Sequence, residues 1–481
     1  MGYELSTAGI IFFLALGATF LAALFGRLHS QPGSQDEDLA GRRLNRWLIG
    51  LSAGATGNSG FIVTGAVGLG YSGGVHWLML PIAWLLGDLV YWALFPAKLN
   101  RFAREARATT LSEMLTFDLS GRVATLVSVL VAALLVTFLA TYTSAQWLAG
   151  RKFLSGVFQL TDLTALIFFS LTIVVYSAIG GFRGSVYADT LQALIRVVGT
   201  IIALTAVTSY ALVDTTSFSQ NIAAAGPDFL ALFPNGTTIS VLGFIGGYAF
   251  AAIGFGLGQP QIVTRYFAGS SPEETRAAWW IYVLFLQSTW IAMTSFGIIL
   301  RGVMPGIADP ETGLSLFFQN NIGPLITGLI FADVYATIAS TSNSLLIAIA
   351  QAFQRDILFG KSARKKSTTS FSMIFLLGVA TIGLSLVLPG NVFTIALGAV
   401  SKIGAAVAGP VLIKILRWKH SATSLLCAIS AGIGAAYVWE FLGYSSTFNE
   451  AGIGLGVSLL VNFLVVATTK PRQAQSAHQT R

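Results

Sequence analysis

The chain has 481 residues, of which 54% are hydrophobic and only 10% charged, and its formal net charge is +8. Soluble domains carry about 25% charged residues, so this composition excludes a soluble globular protein and indicates an integral membrane protein. The basic residues lie in short segments between apolar stretches, which is typical of membrane topology rather than of nucleic-acid binding. A single cysteine, Cys427, excludes a disulfide framework within the chain.

Thirteen apolar segments are long enough to cross a bilayer as helices. We predict these spans, numbered 1 to 13, at residues 6–26, 47–72, 77–97, 123–149, 161–180, 186–212, 239–264, 278–300, 324–352, 369–388, 391–414, 422–442 and 452–468. With an external N-terminus, most of the 28 lysine and arginine residues fall in cytoplasmic loops or in the tail, Arg265 among them. This asymmetry predicts a multi-pass protein of the cell (inner) membrane with a cytoplasmic C-terminus.

Span 2 contains an unusual centre, Gly-Ala-Thr-Gly-Asn-Ser-Gly at residues 54–60, which has poor helix propensity. Backbone carbonyls released by a broken helix are tolerated in a membrane only where they face protein or a water-filled cavity. A helix that breaks halfway across the bilayer is typical of a transporter binding site. We therefore predict that span 2 breaks here and forms part of an ion and substrate site.

Span 7 shows a second candidate break. Gly254, Gly256 and Gly258 predict unwinding, and Pro260 suits the first turn of a new half-helix. Spans 2 and 7 are five spans apart and would cross the membrane in opposite directions, which is the pattern of an inverted-repeat transporter. The alternative is a pair of glycine-rich helices that merely pack closely against their neighbours.

Span 9 carries hydroxyl side chains at positions i, i+3, i+4 and i+7, which lie on one face of a helix. They are Thr337, Ser340, Thr341 and Ser344. Oxygen ligands suit hard cations, and carbonyls freed at the span 2 break would complete a coordination shell. Alternatively, these hydroxyls bond to carbonyls of their own helix or allow close helix packing.

Three charged residues, Asp88, Arg196 and Lys402, lie about ten residues deep in their spans, where a lone charge costs about 3 kcal/mol or more. They should therefore pair or face water. One interpretation pairs Asp88 with Arg196 or Lys402, and the other gives these residues a functional role. For Lys402, that role would be to hold an anionic substrate or to replace a coupling cation.

Several motifs together resemble the sodium:solute symporter family and its sodium/proline branch. Residues 180–192 contain Gly-Gly, a short turn and then Asp-x-x-Gln, with Asp189 as the acid. Leu-Ser-Ala-Gly-Ala at residues 51–55, Gly-Gln-Pro at 258–260 followed by Arg265, and Ser-Thr at 340–341 occur in the order of that branch. The resemblance covers roughly residues 40–420 and includes Tyr142 at the position of a tyrosine of the branch.

The resemblance implies an all-α, leucine-transporter-type fold, with five-plus-five inverted helices formed by spans 2–6 and 7–11. It also implies sodium ligands: the carbonyls of Ala55, Asn58 and Thr337, and the hydroxyls of Ser340 and Thr341. Asp189 would line the inner exit path for sodium. The residues implied to face the substrate are Ser59, Tyr142, Gln146, Ala252, Gly256, Gln259 and Pro260.

The chain departs from the proline carriers at both breaks. Gly57 stands where those carriers have an aspartate, so no carboxylate assists sodium at the span 2 break. Ala252 and Gly256 stand where they have tryptophan and tyrosine, which predicts a roomier and less aromatic pocket. These differences leave the identity of the solute open.

The expected organisation is a first helix and cytoplasmic loop (1–46), a transporter core (47–415, with repeats 47–212 and 239–415), two peripheral helices (416–468) and a cytoplasmic tail (469–481). We predict sodium-coupled symport of a small, amino acid-like solute such as proline by alternating access, without a cofactor. The alternatives are a proton-coupled or uncoupled carrier of an organic anion such as a monocarboxylate, and a non-transporting membrane sensor. A membrane enzyme is disfavoured, because no cluster of acids, histidines or cysteines marks a catalytic site.

Overall fold

The computed structural model describes residues 7–29, 38–233, 236–358, 370–388 and 391–468. Within these ranges every regular element is a helix, apart from one isolated bridge between Leu44 and Gly269. The predicted all-α class is confirmed. The predicted tail at 469–481 lies outside the described residues.

The helices of the first half cover spans 1 to 6. They are α1 Thr7–Leu28, α2 Arg46–Gly57, α3 Gly60–Val63, α4 Gly65–Gly73, α5 Met79–Leu94, α6 Pro96–Glu105, α7 Leu111–Thr116, α8 Gly121–Phe158, α9 Asp162–Val213 and α10 Thr215–Ala224.

The helices of the second half cover spans 7 to 13. They are α11 Thr238–Gly258, α12 Pro260–Phe267, α13 Pro272–Ala277, α14 Trp279–Val303, α15 Gly313–Asn321, α16 Pro324–Gln351, α17 Phe371–Ser385, α18 Val392–Ile403, α19 Gly409–Ile415, α20 Ala422–Phe441 and α21 Glu450–Thr468. A stretch of π-helix joins α18 to α19 at Gly404–Ala408.

Within the described ranges, 10 helical stretches are long and apolar enough to cross a membrane, so the count of thirteen is not confirmed. Span 2 is divided among α2, α3 and α4, and span 10 is represented by a helix of 15 residues. Spans 5 and 6 both lie in α9, which has 52 residues and is interrupted at Gly181. Gly181 has φ 58° and ψ −161°, a conformation open to glycine, and it allows the chain to change direction there.

Two packing features hold the site in place. Helix α16, which forms span 9, is buried at every residue from 330 to 351, so it is surrounded by other helices. Helix α4, the C-terminal part of span 2, crosses α14 at Gly70 and Gly297. A methyl group on Gly297 would lie 2.1 Å from the Val67 carbonyl oxygen, so the two backbones approach more closely than any side chain allows.

Candidate functional site

The break in span 2 lies at Asn58 and Ser59. Helix α2 ends at Gly57, Asn58 has ψ 75° and Ser59 has ψ 179°, and α3 begins at Gly60. The break falls within the stretch that the sequence predicted, residues 54–60. Because the last carbonyls of a helix have no partner inside it, the end of α2 presents backbone oxygens to its neighbours.

Hydroxyls of span 9 meet those carbonyls. The Ser340 hydroxyl donates to the Ala55 carbonyl oxygen at 3.0 Å and lies 3.1 Å from the Thr337 carbonyl oxygen. The Thr341 hydroxyl donates to the Thr56 carbonyl oxygen at 2.9 Å. All five residues are buried. The structure therefore brings four of the five expected sodium ligands together, on two helices that are far apart in sequence.

Asn58, the fifth expected ligand, is engaged through its side chain. Its amide nitrogen donates to the Thr289 hydroxyl on α14, and its amide oxygen is buried. The carbonyl that Thr341 contacts belongs to Thr56, which the sequence reasoning did not include. Thr56 is in the last turn of α2 beside Ala55, so the rule that final carbonyls lack helical partners points to it.

A buried carboxylate lies next to this hydroxyl and carbonyl cluster. One oxygen of Asp189, Oδ2, accepts from the Ser52 hydroxyl at 2.8 Å and lies 3.5 Å from the Thr56 hydroxyl. The Thr56 hydroxyl is also 2.9 Å from that of Ser344. Thr56 thus connects the two clusters, with its carbonyl in one and its hydroxyl in the other.

Arg265 pairs with Asp189 and is itself buried, with 1% of its surface exposed. Its guanidinium lies 3.0 Å from Asp189 Oδ2 and donates to the hydroxyls of Ser52, Ser185 and Ser344 at 3.1, 2.9 and 2.6 Å. The expectation that Arg265 lies in a cytoplasmic loop is wrong, because α12 continues to Phe267 and carries it inward. Its partners come from spans 2, 6 and 9, which satisfy the charge inside the bundle.

Beside the span 2 break lies a cavity. It is lined by Gly57, Ser59, Phe61, Ile62, Leu80, Trp84, Tyr142, Phe255, Leu286, Trp290, Phe393, Ala396, Leu397 and Val400. None of these residues is charged, and six are aromatic. Aromatic side chains from several spans thus surround the cavity. That the pocket is roomier and less aromatic than that of the proline carriers stays a prediction.

The other residues expected to face substrate occupy different positions. Ser59 and Tyr142 line the cavity, and their side chains interact. Gln146 accepts a hydrogen bond from the Gly60 amide at 2.8 Å and so holds the start of α3. Gln259 donates to the Val400 carbonyl at 3.4 Å.

Span 7 breaks at one residue only. Helix α11 runs through Gly254 and Gly256 to Gly258, Gln259 is extended with ψ 106°, and Pro260 begins α12. The expectation that all three glycines unwind the helix is therefore corrected.

Gly256 and Ala252 serve close packing instead. A methyl group on Gly256 would lie 2.6 Å from the Tyr91 ring, and the Gly256 carbonyl accepts from the Tyr91 hydroxyl at 2.8 Å. Ala252 packs against Gly87, also on span 3. Both residues therefore face span 3, although the resemblance had placed them toward substrate.

The charges within the spans find other partners than expected. Arg196 pairs with Asp333 at 2.6 Å, and Lys402 lies 3.0 Å from a carboxylate oxygen of Glu450. Asp88 accepts a hydrogen bond from a neutral amide. The interpretation that paired Asp88 with Arg196 or Lys402 is therefore wrong, because the true partners lie on helices that sequence spacing cannot relate.

The geometry joins a broken helix, an oxygen-rich cluster and an adjoining cavity. A sequence model of the sodium:solute symporter family matches residues 39–432. The chain belongs to the sodium:solute symporter family. It is a sodium-coupled transporter of a solute, not an enzyme, and a multi-pass membrane protein.

Relatives and solved structures extend this finding. The chain is 28% identical to the high-affinity proline transporter PutP of Bacillus subtilis, over 91% of this chain and 94% of the relative. It is 25% identical to the sodium/pantothenate symporter of Haemophilus influenzae, over 90% and 91%. A substrate-bound, outward-open sodium-coupled sialic acid symporter superposes with a TM-score of 0.76 at 18% identity, over 97% and 98% of the two chains. The predicted leucine-transporter-type fold is confirmed.

Proposed function

We propose that this symporter carries a small, uncharged or zwitterionic, amino acid-like solute together with sodium by alternating access. The observation that supports this most is the contact between the Ser340 hydroxyl and the Ala55 carbonyl beside the cavity. It places oxygen atoms from spans 2 and 9 at one point, next to a cavity.

In this proposal sodium binds among the oxygens of Ala55, Thr56, Thr337, Ser340 and Thr341. Neutral oxygen ligands suit a hard monovalent cation, and carbonyls at a helix end are free to take part. Sodium would bridge spans 2 and 9 and so favour the state that accepts solute at the breaks. Asn58 contributes by holding the break against span 8 through Thr289.

Asp189 then lines the inner exit path, next to the sodium ligands through Thr56. Its ion pair with Arg265 ties spans 6 and 7 together and closes that path. We propose that the pair separates when sodium leaves, which would free a carboxylate to guide the ion out.

The side chains that line the cavity bear on the charge of the solute that it can hold. Among its lining residues there is no basic side chain to hold an organic anion, whereas Ser59 and Tyr142 supply hydroxyls and the rest supply apolar and aromatic surface. Lys402, the residue that would have held an anion, is paired with Glu440 and Glu450. These features favour a neutral or zwitterionic solute, as in the proline-transporting relatives, over a carboxylate anion.

The energy available is sufficient for this mode of transport. One charge moving through 100 mV supplies about 2.3 kcal/mol. A tenfold sodium gradient adds roughly 1.4 kcal/mol. Together they would support a gradient of several hundredfold for a neutral solute with one sodium ion.

Uptake into proteoliposomes tests the proposal. Purified protein is reconstituted, and a panel of labelled solutes that includes L-proline, pantothenate and lactate is offered with a sodium gradient, a proton gradient or neither. We expect sodium-dependent uptake of an amino acid-like solute. Uptake of an anion driven by protons, with no response to sodium, would contradict the proposal.

We place the protein in the cell (inner) membrane, with its N-terminus outside.

A further inference from the structure

Asp88 is a buried carboxyl group that pairs with no basic side chain in the described part of the chain. It lies in the middle of α5, with 1% of its surface exposed. Within the described ranges, its hydrogen bond comes from the neutral side-chain amide of Gln287 on α14, at 3.1 Å from Nε2 to Oδ2. The buried basic residues Arg196 and Lys402 are paired with other acids. An ionised carboxylate at such a position in a membrane is costly, so the neutral acid is favoured.

The Gln287 side chain gives an independent indication of a proton. Its carbonyl oxygen, Oε1, is buried and has no hydrogen-bond partner among the described residues. A proton on Asp88 supplies the missing donor, because the acid O–H can donate to Oε1 while Nε2 continues to donate to the carboxyl group. Rotating the amide by half a turn would set Oε1 against Oδ2, and two acceptors also need a proton between them. The rotated arrangement therefore requires the neutral acid, and the unrotated one gains a second hydrogen bond from it.

The surroundings of Asp88 supply no positive charge. The titratable side chains that interact with it are Tyr91 on its own helix, Tyr266 on α12 and Tyr282 on α14. Phenols are neutral at physiological pH, so they do not balance a carboxylate. The atoms of span 7 nearest to the neighbouring Gly87 are the Ala249 carbonyl group and the Ala252 methyl group.

The pair lies directly behind the wall of the solute cavity. Trp84, one turn before Asp88 on α5, lines the cavity, and so does Leu286, the residue before Gln287 on α14. Thr289, two positions after Gln287, accepts the hydrogen bond from Asn58 at the span 2 break. A change in the bonding of the pair would therefore reach both the cavity and the break.

We propose that Asp88 and Gln287 form a proton-binding site behind the cavity wall, occupied at neutral pH. The bound proton allows two hydrogen bonds between spans 3 and 8. Its loss leaves one hydrogen bond and an unbalanced charge. Because the neutral form is present at low pH and lost as pH rises through ionisation, the bundle loosens at alkaline pH. This site is separate from the sodium ligands on spans 2 and 9.

Two solute-independent measurements on the purified full chain test the site. The first is infrared spectroscopy, in which the wild type should show the carbonyl band of a protonated acid at neutral pH. That band should be missing in Asp88→Asn and shifted in Gln287→Leu, which removes the amide partner. The second is the melting temperature as a function of pH. It should fall for the wild type as the pH becomes alkaline and fall less for Asp88→Asn, whose amide offers the same two hydrogen bonds.

Asp162→Asn is the matched control, since Asp162 is an exposed acid at the start of α9, and it should match the wild type in both measurements. Identical acid bands in the wild type and Asp88→Asn would overturn the proposal. So would the absence of any band shift in Gln287→Leu, a result that does not depend on the folding of the Asp88 variant. Neither measurement depends on sodium coupling.

Discussion

The Ser340 hydroxyl lies 3.0 Å from the carbonyl oxygen of Ala55, a residue 285 positions earlier in the chain. The contact joins the end of one half-helix to the middle of α16, which is buried at every residue from 330 to 351. Thr341 makes the same kind of contact with Thr56 at 2.9 Å. Two adjacent hydroxyls thus meet two adjacent carbonyls, so the helices are held in register at the point where we place sodium.

We expect Ser340→Ala combined with Thr341→Ala to weaken sodium activation of uptake by about tenfold or more, because each lost oxygen contributes about 1 kcal/mol. The measurement is solute uptake against sodium concentration in proteoliposomes. Ser342→Ala is the control, since the Ser342 hydroxyl bonds within its own helix to the Ile338 carbonyl at 2.7 Å. An unchanged sodium dependence in the double variant would contradict the site.

The Asp189–Arg265 pair should be energetically coupled. Removing one partner of a buried ion pair leaves an uncompensated charge and costs about 3–5 kcal/mol. Asp189→Asn and Arg265→Gln should therefore each lower the melting temperature strongly, and the double variant should lose less than the two single losses combined. Thermal unfolding in detergent measures this.

An exposed ion pair provides the comparison for the Asp189 and Arg265 variants. Arg46 and Glu274 also pair, but their side chains are 46% and 28% exposed, so Arg46→Gln should change the melting temperature little. Strictly additive losses at Asp189 and Arg265 would show that these residues act separately.

The sequence predicted the features that depend on local chemistry. The break at residues 58–59 follows from a glycine-rich run in an apolar span, and the hydroxyl face follows from helical spacing. The partners of the buried charges could not be predicted, since nothing in spacing relates Arg265 to Asp189 or Lys402 to Glu450. The aromatic cavity was missed for the same reason: its rings come from six spans, and only the packed bundle brings them together.

The crossing of α4 and α14 should tolerate no side chain at Gly297. Gly297→Ala would place a methyl group 2.1 Å from the Val67 carbonyl oxygen, and overpacking of this kind costs about 1–3 kcal/mol. We expect a lower melting temperature and a lower yield of folded protein. Gly17→Ala is the control, because no atom lies within 4 Å of the added methyl group there. Equal stability of the two variants would show that the backbones separate freely at this crossing.

Substitution of Lys402 distinguishes a structural role of this residue from a role in binding an organic anion. Its ammonium lies 3.0 Å from Glu450 and 2.9 Å from Glu440, and it packs over the Tyr437 ring, so it ties span 11 to the two C-terminal helices. Lys402→Met leaves Glu450 buried without a cation, and the melting temperature should fall. The KM for the solute should stay within about twofold. If Lys402 contacted the solute, the loss of even one weak hydrogen bond would change the KM by more than that.

Adding Glu450→Gln to Lys402→Met removes the stranded charge, so it should restore part of the stability without changing the KM. This rescue is the decisive measurement, because removing the Glu450 carboxylate can restore stability only if Lys402 pairs with that carboxylate. If Lys402 instead held an anionic solute, Lys402→Met would raise the KM of that solute sharply. The second substitution would then leave the raised KM as it was, and the assignment of a neutral or zwitterionic solute would have to be abandoned.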